Sequence, residues 1–246
     1  TWPIRAADLG SEAIRKAARQ AHALPELQRT CAAPLAFREA AMSQDELWVL
    51  ASHNDGKVRE LRALFQGLPV DLRPASELDL PEPEETGSTF EANAELKAKA
   101  AARVSGTIAV ADDSGVEVHA LGGEPGIHTG RWAGPERDFA IARRRVEERL
   151  AALGPGTSRR ATYVCVLCVG WPDGRTQCFR GDTQGSLVWP IRGTLGAGFE
   201  PMFLPDGYAI TYAEMIPEHR ARVNARAQAF RKLRAQLFGP DATAGT

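Results

Sequence analysis

The chain lacks a run of about 20 apolar residues, the length a membrane-spanning helix needs, so no membrane partner is expected of it. It also lacks the basic start, apolar centre and small-residue cleavage site of a secretory leader. Net charge is nearly absent, with 30 Lys+Arg against 31 Asp+Glu. No general attraction for a nucleic acid polymer or an anionic membrane surface follows from that balance. Cysteine is scarce: Cys31, Cys165, Cys168 and Cys178. Four such residues suggest no disulfide framework, and a reducing cytoplasm is the expected compartment. Cys165-Val-Leu-Cys168 has a CxxC spacing but lies in a stretch rich in Val, Leu and Tyr that reads as a strand. Three residues apart on a strand, the two thiols face opposite sides and cannot chelate one ion.

What the chain does have is an alternation of strand and helix patterns. Residues 1–41 are rich in Ala and Arg, with a short amphipathic helix expected over Ser11–Ala23. They read as an extension of unassigned role. The functional domain is expected to begin near Met42 and run to about residue 240. Leu47–Ala51 reads as a strand and Gly56–Phe65 as a helix with Val58, Leu61, Leu64 and Phe65 on one face. Val70–Leu72 is a weak strand. Ser88-Thr-Phe-Glu91 has the form of a capping box that opens an Ala-rich helix to about Val104. Thr107–Ala111 is a strand, Gly122–Gly134 a glycine-rich loop and Asp138–Leu153 a charged helix. Arg160–Trp171 and Thr176–Gly181 flank Pro172-Asp-Gly174, a hairpin signal. Glu218–Phe238 reads as one closing helix. The predicted fold is α/β: a mixed, elongated central sheet flanked by helices, with a long β-hairpin.

Chemistry concentrates at a few points. Ala111-Asp112-Asp113-Ser114-Gly115 ends an apolar strand on two adjacent carboxylates, and Ser-Gly reads as the turn that stops it. Side-chain parity directs the two carboxylates to opposite sides. Ser52-His53-Asn54-Asp55-Gly56-Lys57 joins a strand to a helix, where free N–H groups and the dipole favour an anion. It is not a GxxxxGK[ST] loop, because the first Gly and the last Ser/Thr are missing. Glu82–Glu91 is acidic ahead of a helix, and Glu85 is the best candidate there for a hard-oxygen metal ligand suited to Mg²⁺. Lys97 falls on the face of Phe90 and Ala94 and is expected to point toward the site, whereas Lys99 is expected in solvent. Arg143-Arg144-Arg145 reads as charge balance on a helix that also carries Glu147 and Glu148.

In order, Ser52–Lys57 followed by Val-Arg-Glu-Leu, Glu85-Thr-Gly-Ser-Thr-Phe-Glu-Ala-Asn93, Ala111–Gly115, Leu121–Gly126 and Gly198-Phe-Glu-Pro-Met-Phe-Leu-Pro205 form a set. The set resembles the inosine triphosphate pyrophosphatase, or Ham1-like, family over roughly Leu47 to Phe238. The resemblance implies a homodimeric enzyme with its cleft between two lobes. It implies Mg²⁺-dependent hydrolysis of ITP, dITP and XTP to monophosphate and pyrophosphate. By position it assigns Asp113 as proton acceptor and, with Glu85, as metal ligand. It assigns Ser52, His53, Asn54, Asp55, Gly56, Lys57, Lys97, Asp112 and Ser114 to the nucleotide, chiefly its phosphates. Ala197, Gly198, Phe199, Glu200, Arg220, Ala225 and Arg226 fall at the base-reading positions. His53 stands where the family usually has Gly. The family's Phe-Gly-Tyr-Asp-Pro is Ala197-Gly-Phe-Glu-Pro201 here, its helical Lys is Arg220, and its Ser-His-Arg is Asn224-Ala-Arg226. Relaxed or altered base selectivity is the expected consequence, and a nucleotide-binding module without turnover is the alternative. Phe199 and Trp189 are candidate substitute rings, with a core role expected for both.

Overall fold

A computed structural model describes residues 46–239. Met42, the Ser11–Ala23 helix and the rest of the leading segment lie outside the described residues, as does residue 240. Six strands form one mixed sheet in the order β2-β1-β3-β4-β5-β6. They are β1 (Glu46–Leu50), β2 (Val70–Pro74), β3 (Ile108–Val118), β4 (Arg160–Gly170), β5 (Thr176–Leu187) and β6 (Phe203–Pro205). β2, β1 and β3 are parallel, and β3, β4, β5 and β6 pair antiparallel. The described helices are α1 (Asp55–Phe65), α2 (Phe90–Ser105), α3 (Phe139–Ala152), α4 (Pro217–Val223) and α5 (Ala225–Leu237).

Strand parity builds the two faces. Val110, Cys165, Leu167 and Val169 meet Val58, Leu61 and Phe65 of α1 and Phe230 and Leu233 of α5 on one side. Ala111, Val164, Val166 and Cys168 meet Phe90, Ala94 and Ala98 of α2 on the other. Each large apolar side chain so buried contributes about 1.5–3 kcal/mol. The alanines let α2 lie close: a Cβ on Gly170 would sit 2.9 Å from the Ala98 carbonyl. Cys165 and Cys168 do point to opposite faces.

Four expectations change. β3 does not stop at the carboxylates but runs through Asp112, Asp113, Ser114 and Gly115 to Val118, held by β4. Gly115 serves a close approach rather than a turn, since a Cβ there would lie 2.5 Å from both the Gly126 carbonyl and Thr129 Oγ1. Thr89, not Ser88, caps α2, its hydroxyl accepting from Ala92 N–H at 3.1 Å. The closing helix is two helices, broken at Asn224, whose extended backbone ends α4 while its side chain accepts from Ala227 N–H and caps α5. Cys168 and Cys178 are register partners on β4 and β5 and are joined as a disulfide, a pairing the sequence did not suggest.

Candidate active site

β1 pairs with β3 only as far as Leu50 opposite Val110. Beyond Val110 the β1-facing edge of β3 opens, and the chain leaves β1 through Ser52–Asn54 into α1. A cleft past the carboxyl end of a parallel strand is where α/β sheets bind ligands. One cavity there is lined by Ser52, Asn54, Gly56, Lys57, Glu85, Lys97, Asp112, Asp113 and Ser114, and at its other end by Ala197, Gly198, Glu200, Ala225 and Arg226. His53, Asp55, Phe199 and Arg220 do not line it. His53 hydrogen-bonds the Leu80 carbonyl instead (3.0 Å), and Phe199 is fully buried in the core beside Phe203 and Tyr212. Trp189 is 45% exposed and does not line the cavity, against the core role expected of it. Asn54 Oδ1 accepts from Lys57 N–H at 3.1 Å and caps α1, while Ser52 Oγ accepts from Asn54 N–H.

The two adjacent carboxylates have opposite environments. Asp112 faces α1 and α5, and the protein satisfies both its oxygens. Oδ1 takes the Lys57 ammonium and the Ser114 hydroxyl (3.0 Å), and Oδ2 takes Arg226 Nε (2.8 Å) and the Cys165 thiol (3.1 Å). Burial pushes this carboxyl up, but the Arg226 and Lys57 charges outweigh it and hold it well below the usual range. The same cluster pushes Arg226 up, its attraction to Asp112 overcoming burial, and burial beside Asp112 pushes the Cys165 thiol well up.

Asp113 faces α2. Its Oδ1 accepts from Lys97 Nζ at 3.0 Å, and its Oδ2 is buried with no hydrogen-bond partner. Burial raises the Asp113 carboxyl more than Lys97 lowers it. Lys97 is itself buried, which would lower it, yet the Asp113 and Glu85 carboxylates hold it above its ordinary value. Its ammonium also donates to Glu85 Oε1 (2.8 Å) and to the Asp112 carbonyl (2.9 Å), so one cation draws Glu85 and Asp113 together. Glu85 is lowered: Lys97 overcomes the effect of partial burial. The Glu85 loop is fixed by Asn93 Oδ1, which accepts from Gly87 N–H at 2.8 Å, and by Arg131, which donates to the Glu85 carbonyl. Lys99 is half exposed and pairs only with Glu95 among the described residues, as expected.

The described residues hold no group of three or more His, Cys, Asp or Glu side chains fit for a metal. Two convergent carboxylates, one with an unsatisfied oxygen, instead match an ion that keeps several waters and takes its remaining ligands from phosphates.

At the far end of the cavity Glu200 accepts from Ala197 N–H (2.7 Å) and pairs with Arg220 (3.3 Å). Burial raises this carboxyl despite Arg220. Arg220 also donates to the Leu195 and Tyr212 carbonyls, so it braces the turn from behind. Sequence reasoning missed several residues here. Glu60, one turn after Lys57 on α1, pairs with Arg226. Arg143 is not there for charge balance: it donates to the Gly198 carbonyl, and Arg145 stacks 4.1 Å over Trp132. Tyr163 and Phe139 also line the cavity. The Lys57–Glu60 spacing was a readable signal, whereas the other contacts need the tertiary fold.

Known proteins resemble this chain over most of its length. The Ham1 family model matches residues 48–236. A dITP/XTP pyrophosphatase of Rhodospirillum centenum is 51% identical over 190 residues, covering 77% of this chain and 94% of that protein. One from Caulobacter vibrioides is 49% identical over 190 residues, covering 77% and 97%. The solved structure of a HAM1 protein from Coxiella burnetii superposes with a TM-score of 0.74 at 33% identity, covering 79% of this chain and 100% of that one. The Staphylococcus aureus Ham1 protein gives 0.70 at 37% identity, covering 79% and 99%. The chain belongs to the Ham1 family.

Proposed function

We propose that the chain hydrolyses non-standard purine nucleoside triphosphates (dITP, ITP and XTP) to the monophosphate and pyrophosphate, with Mg²⁺. The observation that carries this reading is the buried, unpartnered Asp113 Oδ2 beside Lys97 and Glu85, at the end of a cavity that begins on the Ser52–Lys57 turn. Glu85 and Asp113 would hold the metal, which when bound neutralises phosphate charge and lowers the pKa of water. The protein's own part is electrostatic and positional. Lys57 and Lys97 present cations to the phosphates, anchored by Asp112 and by Asp113 with Glu85. The Asp113 carboxylate, whose Oδ2 is buried and takes no hydrogen bond from the protein, takes the proton of the attacking water. Pyrophosphate release from dITP, assayed with and without a chelator, tests the reading. Such substrates belong to the nucleotide pool, so the reading places the enzyme in the cytoplasm.

One observation favours relaxed base selectivity as a second reading. At the base end Ala197, Gly198 and Ala225 carry no ring themselves, the rings of Phe139 and Tyr163 lie beside Gly198, and Glu200 is already engaged by Arg220 and by Ala197 N–H. Stacking of a base on an aromatic ring is worth roughly 1–3 kcal/mol. Ala197→Phe is therefore expected to raise kcat/KM for dITP and XTP about tenfold, with a smaller gain for pyrimidine triphosphates. No gain for either purine would show that the cavity does not seat a base beside residue 197.

We also propose a homodimer. Trp189, Ile191 and Leu195 are exposed on one segment, and Ile210 and Ile216 on another. Leu195 N–H donates to the Ala213 carbonyl, and Arg192 donates to that of Ala209, so the segments lie together. An apolar surface of this kind marks an interaction site. Sedimentation equilibrium is expected to return the mass of two chains; the mass of one would remove this part of the reading.

A further inference from the structure

Four cationic side chains line the cavity among the described residues: Lys57, Lys97, Arg226 and Arg137. The first three are tied to carboxylates, Lys57 to Asp112, Lys97 to Asp113 and Glu85, and Arg226 to Asp112 and Glu60. The Arg137 guanidinium is different. It is exposed and has no hydrogen bond or ion pair with any described residue. The cavity opens to an outer recess, and the two share Glu82, Glu85, Ile127 and Arg137. Arg137 thus stands where the cavity meets the recess, together with Glu82 and Glu85.

Its backbone is also unusual. Arg137 has φ 53°, one of two non-glycine residues with positive φ among the described residues. A left-handed arginine costs of order 1 kcal/mol and persists only where its surroundings impose it. Here Arg137 N–H donates to the Gly134 carbonyl, and the next residue, Asp138, caps α3 by accepting from Ala140 N–H at 2.8 Å. A glycine would meet this geometry without strain, yet the position carries a long cationic side chain instead.

The geometry points to Arg137 as the residue that binds the terminal phosphates of the substrate and then the pyrophosphate product. The inference rests on the triphosphate reading above and deepens it. A triphosphate brings more negative charge than the paired lysines neutralise, and an unpaired guanidinium offers a planar donor fork matched to phosphate oxygens.

Arg137→Gly separates a ligand role from a structural one, because it removes the guanidinium and relieves the backbone together. The variant is expected to melt no lower than the parent. Its kcat/KM for dITP is expected to fall roughly 10- to 100-fold, as for one lost hydrogen bond to a charged group. Inhibition by pyrophosphate weakens by a similar factor, inhibition by dIMP does not change, and Arg137→Lys falls between. Calorimetry with inorganic tripolyphosphate adds a readout independent of turnover. If the parent releases no pyrophosphate but Arg137→Gly still binds tripolyphosphate more weakly, the hydrolysis reading falls and the arginine assignment stands. If the parent is active and Arg137→Gly keeps its kcat/KM and tripolyphosphate affinity, the arginine assignment falls alone. Equal weakening toward dIMP and pyrophosphate would also overturn it.

Discussion

Asp113→Asn is expected to lower triphosphate hydrolysis by about 10²–10⁴-fold, the usual contribution of a positioned general base, while leaving the fold in place. The amide matches the carboxylate in size and keeps an acceptor for Lys97, which now donates to Asp113 Oδ1 at 3.0 Å. Lys97 also retains Glu85 at 2.8 Å, so it is not left buried and unpaired. What the substitution removes is the negative charge at the buried oxygen that no protein group satisfies. Steady-state pyrophosphate release together with a thermal melt checks both halves. A variant within tenfold of the parent would contradict the assignment of Asp113 as proton acceptor.

Asp112→Ala is expected to act on stability instead. The Asp112 side chain is 0% exposed and holds Lys57, Arg226, Ser114 and Cys165. Removing one partner of a buried ion pair costs about 3–5 kcal/mol, because the other charge stays behind. Glu60 remains on Arg226, which favours the lower end. A loss of about 3 kcal/mol lowers Tm by roughly 6–12 °C in a domain of this size. The pH dependence has a definite sign. The folded Asp112 carboxyl lies well below its ordinary value, so its stabilisation is complete above about pH 4 and is lost only as pH falls through the lower folded value. Urea unfolding at neutral pH measures the loss directly. An unchanged midpoint would mean that Asp112 is not the anchor of Lys57 and Arg226.

This division of labour between neighbours was half legible in the sequence. Strand parity separates Asp112 from Asp113, and the spacing from Phe90 and Ala94 turns Lys97 toward them. Which carboxylate the protein satisfies was not legible, because Arg226 comes from α5 and Cys165 from β4. Local signals misled wherever a distant partner decided the outcome. Ser114-Gly115 reads as a turn, yet β4 pairs with both residues and extends the strand. Glu218–Phe238 reads as one helix, yet Asn224 breaks it and places Ala225 and Arg226 at the cavity. The Cys168–Cys178 pairing depends on the β4–β5 register, which places the two opposite each other. Ser88 and Thr89 are adjacent cap candidates, and one residue of register decides between them.

The proposed reaction is cleavage of a nucleoside triphosphate between its α- and β-phosphates in this cavity. The most direct measurement is product analysis after incubation of the purified chain with dITP, in Mg²⁺ and in excess chelator. Equimolar dIMP and pyrophosphate are expected with Mg²⁺, and neither product with chelator. Release of orthophosphate and dIDP, or firm binding of dITP without any cleavage, would contradict that reaction.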